Sequence, residues 1–141
     1  MIIVDTTVLV YAVGAEHPLR APTRRVVTAI TDGEIDATTT AGVIQEFARV
    51  RARRYGQADA VRHAQLYVDL LPPLFPVERQ ELRDGLRLFE QHSELTSFDA
   101  VLAAVALNRD AQLVSGDRAF ATVPGLRHVD PAGPDFEQLF G

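Results

Sequence analysis

The chain opens on Ile2-Ile3-Val4-Asp5-Thr6-Thr7, an apolar triplet that runs straight into an acid and two threonines. Three β-branched residues in a row read as a short buried strand. Residues 6–13 then read as a helix, with Gly14 as its stop. A strand that becomes a helix across one residue is the start of a βα unit, and Asp5 stands at the strand's C-terminal tip. Ligands of open parallel α/β sheets bind above such tips, where the strand order reverses.

Outward from this unit the pattern repeats. Residues 20–31 read as a helix ended by Asp32-Gly33, and 35–38 as a weak strand. A strong helix spans 40–54, with Val43, Ile44, Phe47 and Val50 on one face and Gly56 just past its end. Residues 57–71 form the next helix, with Val61, Ala64, Val68 and Leu71 at core spacing, and Pro72-Pro73 ends it. Residues 74–77 suit a short edge strand, because Pro76 is awkward in a central one. A helix over 79–92 turns Leu82, Leu86 and Phe89 inward. The most apolar helix covers 97–109, followed by a buried strand at 112–115, a last short strand at 127–129 and a terminal helical turn over 134–140. Strands alternating with helices imply an α/β fold with a parallel sheet covered on both faces. No linker or repeat divides the chain, so residues 1–141 are expected to form one domain.

In such a fold, strand ends and helix starts share one edge of the sheet. Asp5 and Asp117 follow strands, Asp99 lies in the first turn of a helix, and Glu46 lies in the upper half of another. If the strands before Asp5 and Asp117 are neighbours, all four acids face one cleft. Crowded carboxylates repel each other and raise their own pKa values, and hard divalent cations with oxygen ligands relieve this. Such ions activate water and stabilise leaving oxygens in phosphate chemistry. Each acid also has an ordinary structural use. Asp5 suits a helix cap, and Asp99 has capping-box spacing from Thr96. Asp117 follows Gly116 in a turn, and Glu46 stands three residues before Arg49 on a solvated face.

Composition sets bounds. The chain has 141 residues, is 47% apolar and contains no cysteine, which excludes disulfides and thiolate zinc sites. It shows no secretory signal and no apolar run of membrane-spanning length, so it reads as a soluble cytoplasmic protein. The net charge is −5 and all 14 basic residues are arginine. That balance counts against generic nucleic-acid binding until a bound metal offsets the acids. Arg49, Arg51, Arg53 and Arg54 complement a negative helix end, and Arg49 and Arg53 share a face suited to tracking an RNA backbone. Tyr55 nearby suits stacking on a base or anchoring at the surface. The four histidines are scattered and read as structural.

Taken together, Val4-Asp5-Thr6-Thr7, Glu46, Phe98-Asp99-Ala100 and Val114-Ser115-Gly116-Asp117-Arg118-Ala119-Phe120 resemble the PIN domain, and within it the VapC-type toxins of bacterial toxin–antitoxin pairs. The resemblance implies a three-layer α/β/α sandwich around a mostly parallel sheet. It implies an endoribonuclease dependent on Mg²⁺ or Mn²⁺. Asp5, Glu46, Asp99 and Asp117 correspond to the family's catalytic acids, with Asp5, Asp99 and Asp117 as metal ligands and Thr7 and Ser115 as supporting polar residues. Some relatives carry a further acid after the fourth; Arg118 and Ala119 hold that place here. A VapB-type antitoxin partner and a homodimer are also implied. Two alternatives remain open from the residues alone. One is a phosphatase-like enzyme with Asp5 as nucleophile, although Thr7 replaces the second aspartate such enzymes use. The other is a non-catalytic module that binds RNA or a protein.

Overall fold

Three hydrophobic residues leave water on both faces at the start of the chain, and the sheet is built around them. The computed structural model describes residues 1–141. Strand β1 (Ile2–Val4) is completely buried. It pairs in parallel with β2 (Ala37–Thr38) on one side and with β3 (Gln112–Val114) on the other. Strand β4 (His128–Val129) extends β3, giving the order β2-β1-β3-β4 with every pair parallel. The register sets Val4 beside Val114, and the Asp5 N–H donates to the Val114 carbonyl at 3.0 Å. The strands carrying Asp5 and Asp117 are therefore neighbours, as the convergence of the acids requires.

Six helices flank the sheet in a three-layer α/β/α arrangement: α1 (Thr6–Ala12), α2 (Arg20–Thr31), α3 (Ala41–Tyr55), α4 (Gln57–Leu70), α5 (Arg79–Gln91) and α6 (Ser97–Asn108). Short 3-10 turns follow at Arg118–Thr122 and Phe136–Phe140. Helix α6 is buried along most of its length, as its alanine-rich sequence anticipates.

Three expectations need correction. The segment 74–77 is not a strand; it contributes one parallel bridge, Phe75 to Thr40. On α4, Val61 and Val68 are exposed, and Ala60, Ala64 and Tyr67 turn inward. Tyr67 decides that face: its hydroxyl donates to the Leu9 carbonyl at 2.9 Å and its ring meets Phe47 edge-on at 5.0 Å. On α5, Leu82, Leu86 and Phe89 are exposed, at 46%, 50% and 46%, and Glu81, Gly85 and Leu88 face α6 instead. Close approach sets that choice. A Cβ on Gly85 would lie 2.5 Å from the Val101 Cα, so only glycine lets the two helices pack this tightly. The contact also carries a buried ion pair. Glu81 is fully buried, its Oε2 lies 3.2 Å from Arg109 Nε, and its Oε1 accepts from the Glu78 N–H at 2.8 Å.

Candidate active site

Asp5 ends β1 and stands where α1 begins, yet makes no capping hydrogen bond to that helix. Its carboxylate is instead held by hydroxyls. Ser115 Oγ donates to Asp5 Oδ2 at 2.6 Å, and Thr7 Oγ1 donates to the same atom at 3.2 Å. The loop after β3 is tied into the same knot. The Asp117 N–H donates to Ser115 Oγ at 3.0 Å, and the Gly116 N–H donates to Thr7 Oγ1 at 2.9 Å. From the far side, the His128 ring nitrogen lies 2.8 Å from the Ser115 carbonyl, which fixes the backbone that presents this serine. Asp5 is 3% exposed and no cation pairs with it. Burial pushes its carboxyl above the usual range, and the Ser115 and Thr7 hydroxyls offset part of that.

The other acids reach the same cleft from three elements. Asp99 lies in the first turn of α6, whose cap is Thr96: the Asp99 N–H donates to Thr96 Oγ1 at 3.1 Å. Asp117 caps the 3-10 turn after β3, accepting from the Ala119 N–H at 3.0 Å. Glu46 projects from α3. Asp5, Glu46, Asp99 and Asp117 all line one cleft of about 480 Å³ between α1, α3 and the start of α6. Their electrostatic coupling is visible at Asp99. Burial, then the charges of Asp5 and Asp117, and more weakly Glu46, raise its pKa to about 6. The ordinary roles and the convergence are therefore both real for Asp99 and Asp117, whereas for Asp5 the capping role falls away.

Glu46 also serves two purposes. Arg49 Nε donates to its Oε2 at 3.0 Å, and this bond holds the Glu46 carboxyl below the usual range. Arg49 is thereby committed to the cleft wall. Arg51 is committed too: it pairs with Asp59 at 2.6 Å and bonds the Val13 carbonyl, pinning α3 to α4 and to the end of α1. Arg53 is exposed and forms no ion pair, which leaves it open to a phosphate. Of the two arginines singled out for RNA, only Arg53 is unengaged.

No three acidic or histidine side chains stand close enough to ligate one ion together. The acids share a cleft without forming a closed cage, as mutual repulsion favours. The donors that face the cleft are nevertheless all oxygens, two of the carboxylates are desolvated, and the Thr6 hydroxyl beside them is buried without a hydrogen-bond partner. That set fits Mg²⁺ or Mn²⁺, which take one or two carboxylates directly and reach others through water. Thr6 was not among the residues expected from sequence. Its position four residues before Val10, which also lines the cleft, is the helical spacing that marks this face of α1.

Comparison with known proteins gives the family and the fold. The PIN domain pattern matches residues 2–126. The whole chain aligns, at 48% identity, with 99% of Ribonuclease VapC7 from Mycobacterium tuberculosis. The crystal structure of M. tuberculosis VapC20, a sarcin-ricin loop cleaving toxin, superposes with a TM-score of 0.73 at 18% identity, over 90% of this chain and 98% of that one. VapBC2 from Rickettsia felis, solved bound to a DNA fragment from its promoter, gives a TM-score of 0.71 at 14% identity, over 92% of this chain and 98% of the matched chain. At those identities the two structures speak for the fold; the family rests on the pattern match and the full-length relative. The chain belongs to the PIN-domain family, in its VapC group.

Proposed function

We propose that this protein is a Mg²⁺- or Mn²⁺-dependent endoribonuclease that acts as the toxin of a toxin–antitoxin pair. One observation carries the reading: Asp5 is buried with hydroxyls for partners and no cation, beside an Asp99 whose pKa is raised to about 6 by burial and neighbouring carboxylates. Charge arranged in this way destabilises a protein unless a ligand of opposite sign binds. The name of the 48%-identical relative, a ribonuclease, supports RNA as the substrate.

Asp5, Asp99 and Asp117 would hold the ion between them, one or two directly and the rest through its bound waters. When bound, it supplies an activated water and charge to offset the leaving oxygen. The chain's own groups do the rest. Ser115 and Thr7 fix Asp5 Oδ2, so the carboxylate keeps one orientation. Arg49 keeps Glu46 ionised across the cleft, where its charge adds to the attraction for a cation. Arg53 guides the strand into the cleft. The VapBC complex among the structural relatives supports a VapB-type antitoxin as partner. A homodimer and a cytoplasmic location belong to the same reading; the structure has no helix long and apolar enough to cross a membrane.

The test is direct. Purified protein should cut single-stranded RNA with Mg²⁺ or Mn²⁺ and stop when a chelator is added. Asp99→Asn should lose cleavage while its circular dichroism stays native. Full activity in Asp99→Asn, or undiminished cleavage in excess chelator, would sink the reading.

A further inference from the structure

A second groove opens off the acid cleft and has no role in the reaction above. Helices α1 and α3 run side by side, and each contributes to both hollows. On α1, Thr6 lines the cleft and Gly14, just past its end, lines the groove; on α3, Glu46 lines the cleft and Arg54 the groove. Val10, Tyr11 and Val50 border both, so the two form one continuous trough. Eight residues of α3 separate Glu46 from Arg54, about 12 Å of helix. A strand whose phosphate sits among the acids is within reach of this groove.

We propose that this groove, of about 180 Å³, is a stacking subsite for one nucleobase of the RNA strand that enters the acid cleft. The inference rests on the ribonuclease reading. Its floor is apolar, made by Val10 and by the fully buried Phe47. One wall is flat and aromatic: Tyr11 and His17 stack at 4.2 Å with 23° between their planes. The imidazole is locked in that pose by the Leu19 N–H, which donates to its Nδ1 at 3.0 Å. The other wall is Tyr55, held by the Arg51 guanidinium 3.8 Å above its ring. Arg51 is itself fixed by Asp59, so this wall is rigid as well.

Charge at the rim separates the ligand classes. Arg54 lines the groove, is exposed and has no ion pair; its guanidinium lies 5.8 Å from the Tyr55 ring. The one acid in the lining, Glu16, is paired with Arg20. A free cation beside pre-stacked rings suits a flat π ligand tethered to a polyanion. An aliphatic protein side chain would use the floor and gain nothing from the rings or the guanidinium. Stacking reads a base's face rather than its edges, so this subsite adds affinity and positions the strand without dictating sequence.

The test uses the full chain with Asp99→Asn as a cleavage-deficient parent in Mg²⁺. Binding of a labelled single-stranded RNA, about ten nucleotides long and random in sequence, is followed by fluorescence anisotropy. Tyr11→Ala and Arg54→Ala should each weaken binding by about five- to fiftyfold, and Tyr11→Phe by less than about twofold. A strand of the same length with abasic sites throughout should bind weakly and equally to parent and Tyr11→Ala, whereas Arg54→Ala should still weaken it through the phosphates. Exposed His17 and Arg54 keep the test informative if Tyr11→Ala does not fold. Unchanged binding in folded Tyr11→Ala and Arg54→Ala overturns the proposal, as does an equal loss for Tyr11→Ala on the abasic strand, which would mean that the ring does not stack on a base. It is also overturned if the variants keep RNA but lose binding to a VapB-type antitoxin, because the groove would then be a protein anchor. Wild-type protein that cleaves RNA while those variants bind normally leaves the nuclease reading standing. Wild-type protein that neither binds nor cleaves RNA removes both.

Discussion

Asp5 at the tip of β1 and Glu81 in the first turn of α5 are the two acidic side chains this protein buries, at 3% and 0% exposure. The fold treats them in opposite ways. Glu81 is closed on every side by its own chain: Arg109 supplies the cation, Asn108 Nδ2 donates at 3.2 Å, and the Glu78 amide completes the set. Asp5 receives only hydroxyls and lies open to a cleft shared with three more acids. A buried carboxylate matched by a fixed cation is a structural element, because its charge is already balanced. One left without a cation costs stability, and a fold keeps such a group only where something from outside completes it. The difference separates the part of this molecule that holds helices together from the part that does chemistry.

The largest expected effect breaks the contrast from both ends. Asp5→Asn should lower RNA cleavage about a thousandfold or more and leave the urea midpoint unchanged or higher, since it removes a desolvated charge. Glu81→Ala should do the reverse. It strands Arg109 in the α5–α6 contact and should cost about 3–5 kcal/mol of stability, with cleavage per folded molecule kept within about threefold. Cleavage lost in folded Glu81→Ala, or unfolding caused by Asp5→Asn, would erase the distinction.

A pH series sharpens the comparison at a smaller scale. The Asp99 carboxyl titrates at about 6 in the folded chain against an ordinary value of 3.8, so the folded state holds the extra proton between those limits. In chelator, the contribution of Asp99 to stability should therefore fall as pH rises from about 4 to about 6, by roughly 1–2 kcal/mol after solvent screening. The difference in slope between wild type and Asp99→Asn isolates that contribution, and Mn²⁺ should reverse it at neutral pH. A slope identical in wild type and Asp99→Asn would show that the strain lies elsewhere.

The smallest effect isolates the support of Asp5. Ser115→Ala removes the 2.6 Å donor to Oδ2 and the acceptor of the Asp117 N–H. Stability should drop by about 1 kcal/mol and cleavage by about tenfold, with thermal unfolding and single-turnover rates as the readouts. Wild-type rates in Ser115→Ala would mean that Thr7 orients Asp5 unaided.

Much of this arrangement is legible along the chain because it is local. Asp5 follows an apolar triplet directly, Asp99 stands three residues after a capping threonine, and Asp117 sits just beyond a buried strand. Each acid's distance from the top of the sheet follows from the element it adjoins, without knowledge of what packs against it. The arginine run was legible only in part: the three-residue spacing marks Arg49 as a partner of Glu46, but nothing within α3 reveals that Arg51 is taken by Asp59 of the next helix. Thr6 was invisible for a related reason: a hydroxyl at a helix start becomes notable only when its surroundings leave it unpaired.

By itself the sequence determined the alternation of strands and helices, the parallel sheet and the candidate acids, because these depend on side-chain period and on neighbours one turn away. Only the tertiary structure decided which stripe of α5 turns inward. The chain carries two, offset by a single residue: Leu82, Leu86 and Phe89, and Glu81, Gly85 and Leu88. Hydrophobicity favours the first, but the missing Cβ at Gly85 and the Arg109 cation favour the second, and both of those act only when α6 is in place. The same holds at the cleft, where Ser115 reaches Asp5 across 110 residues of chain because two strands lie side by side.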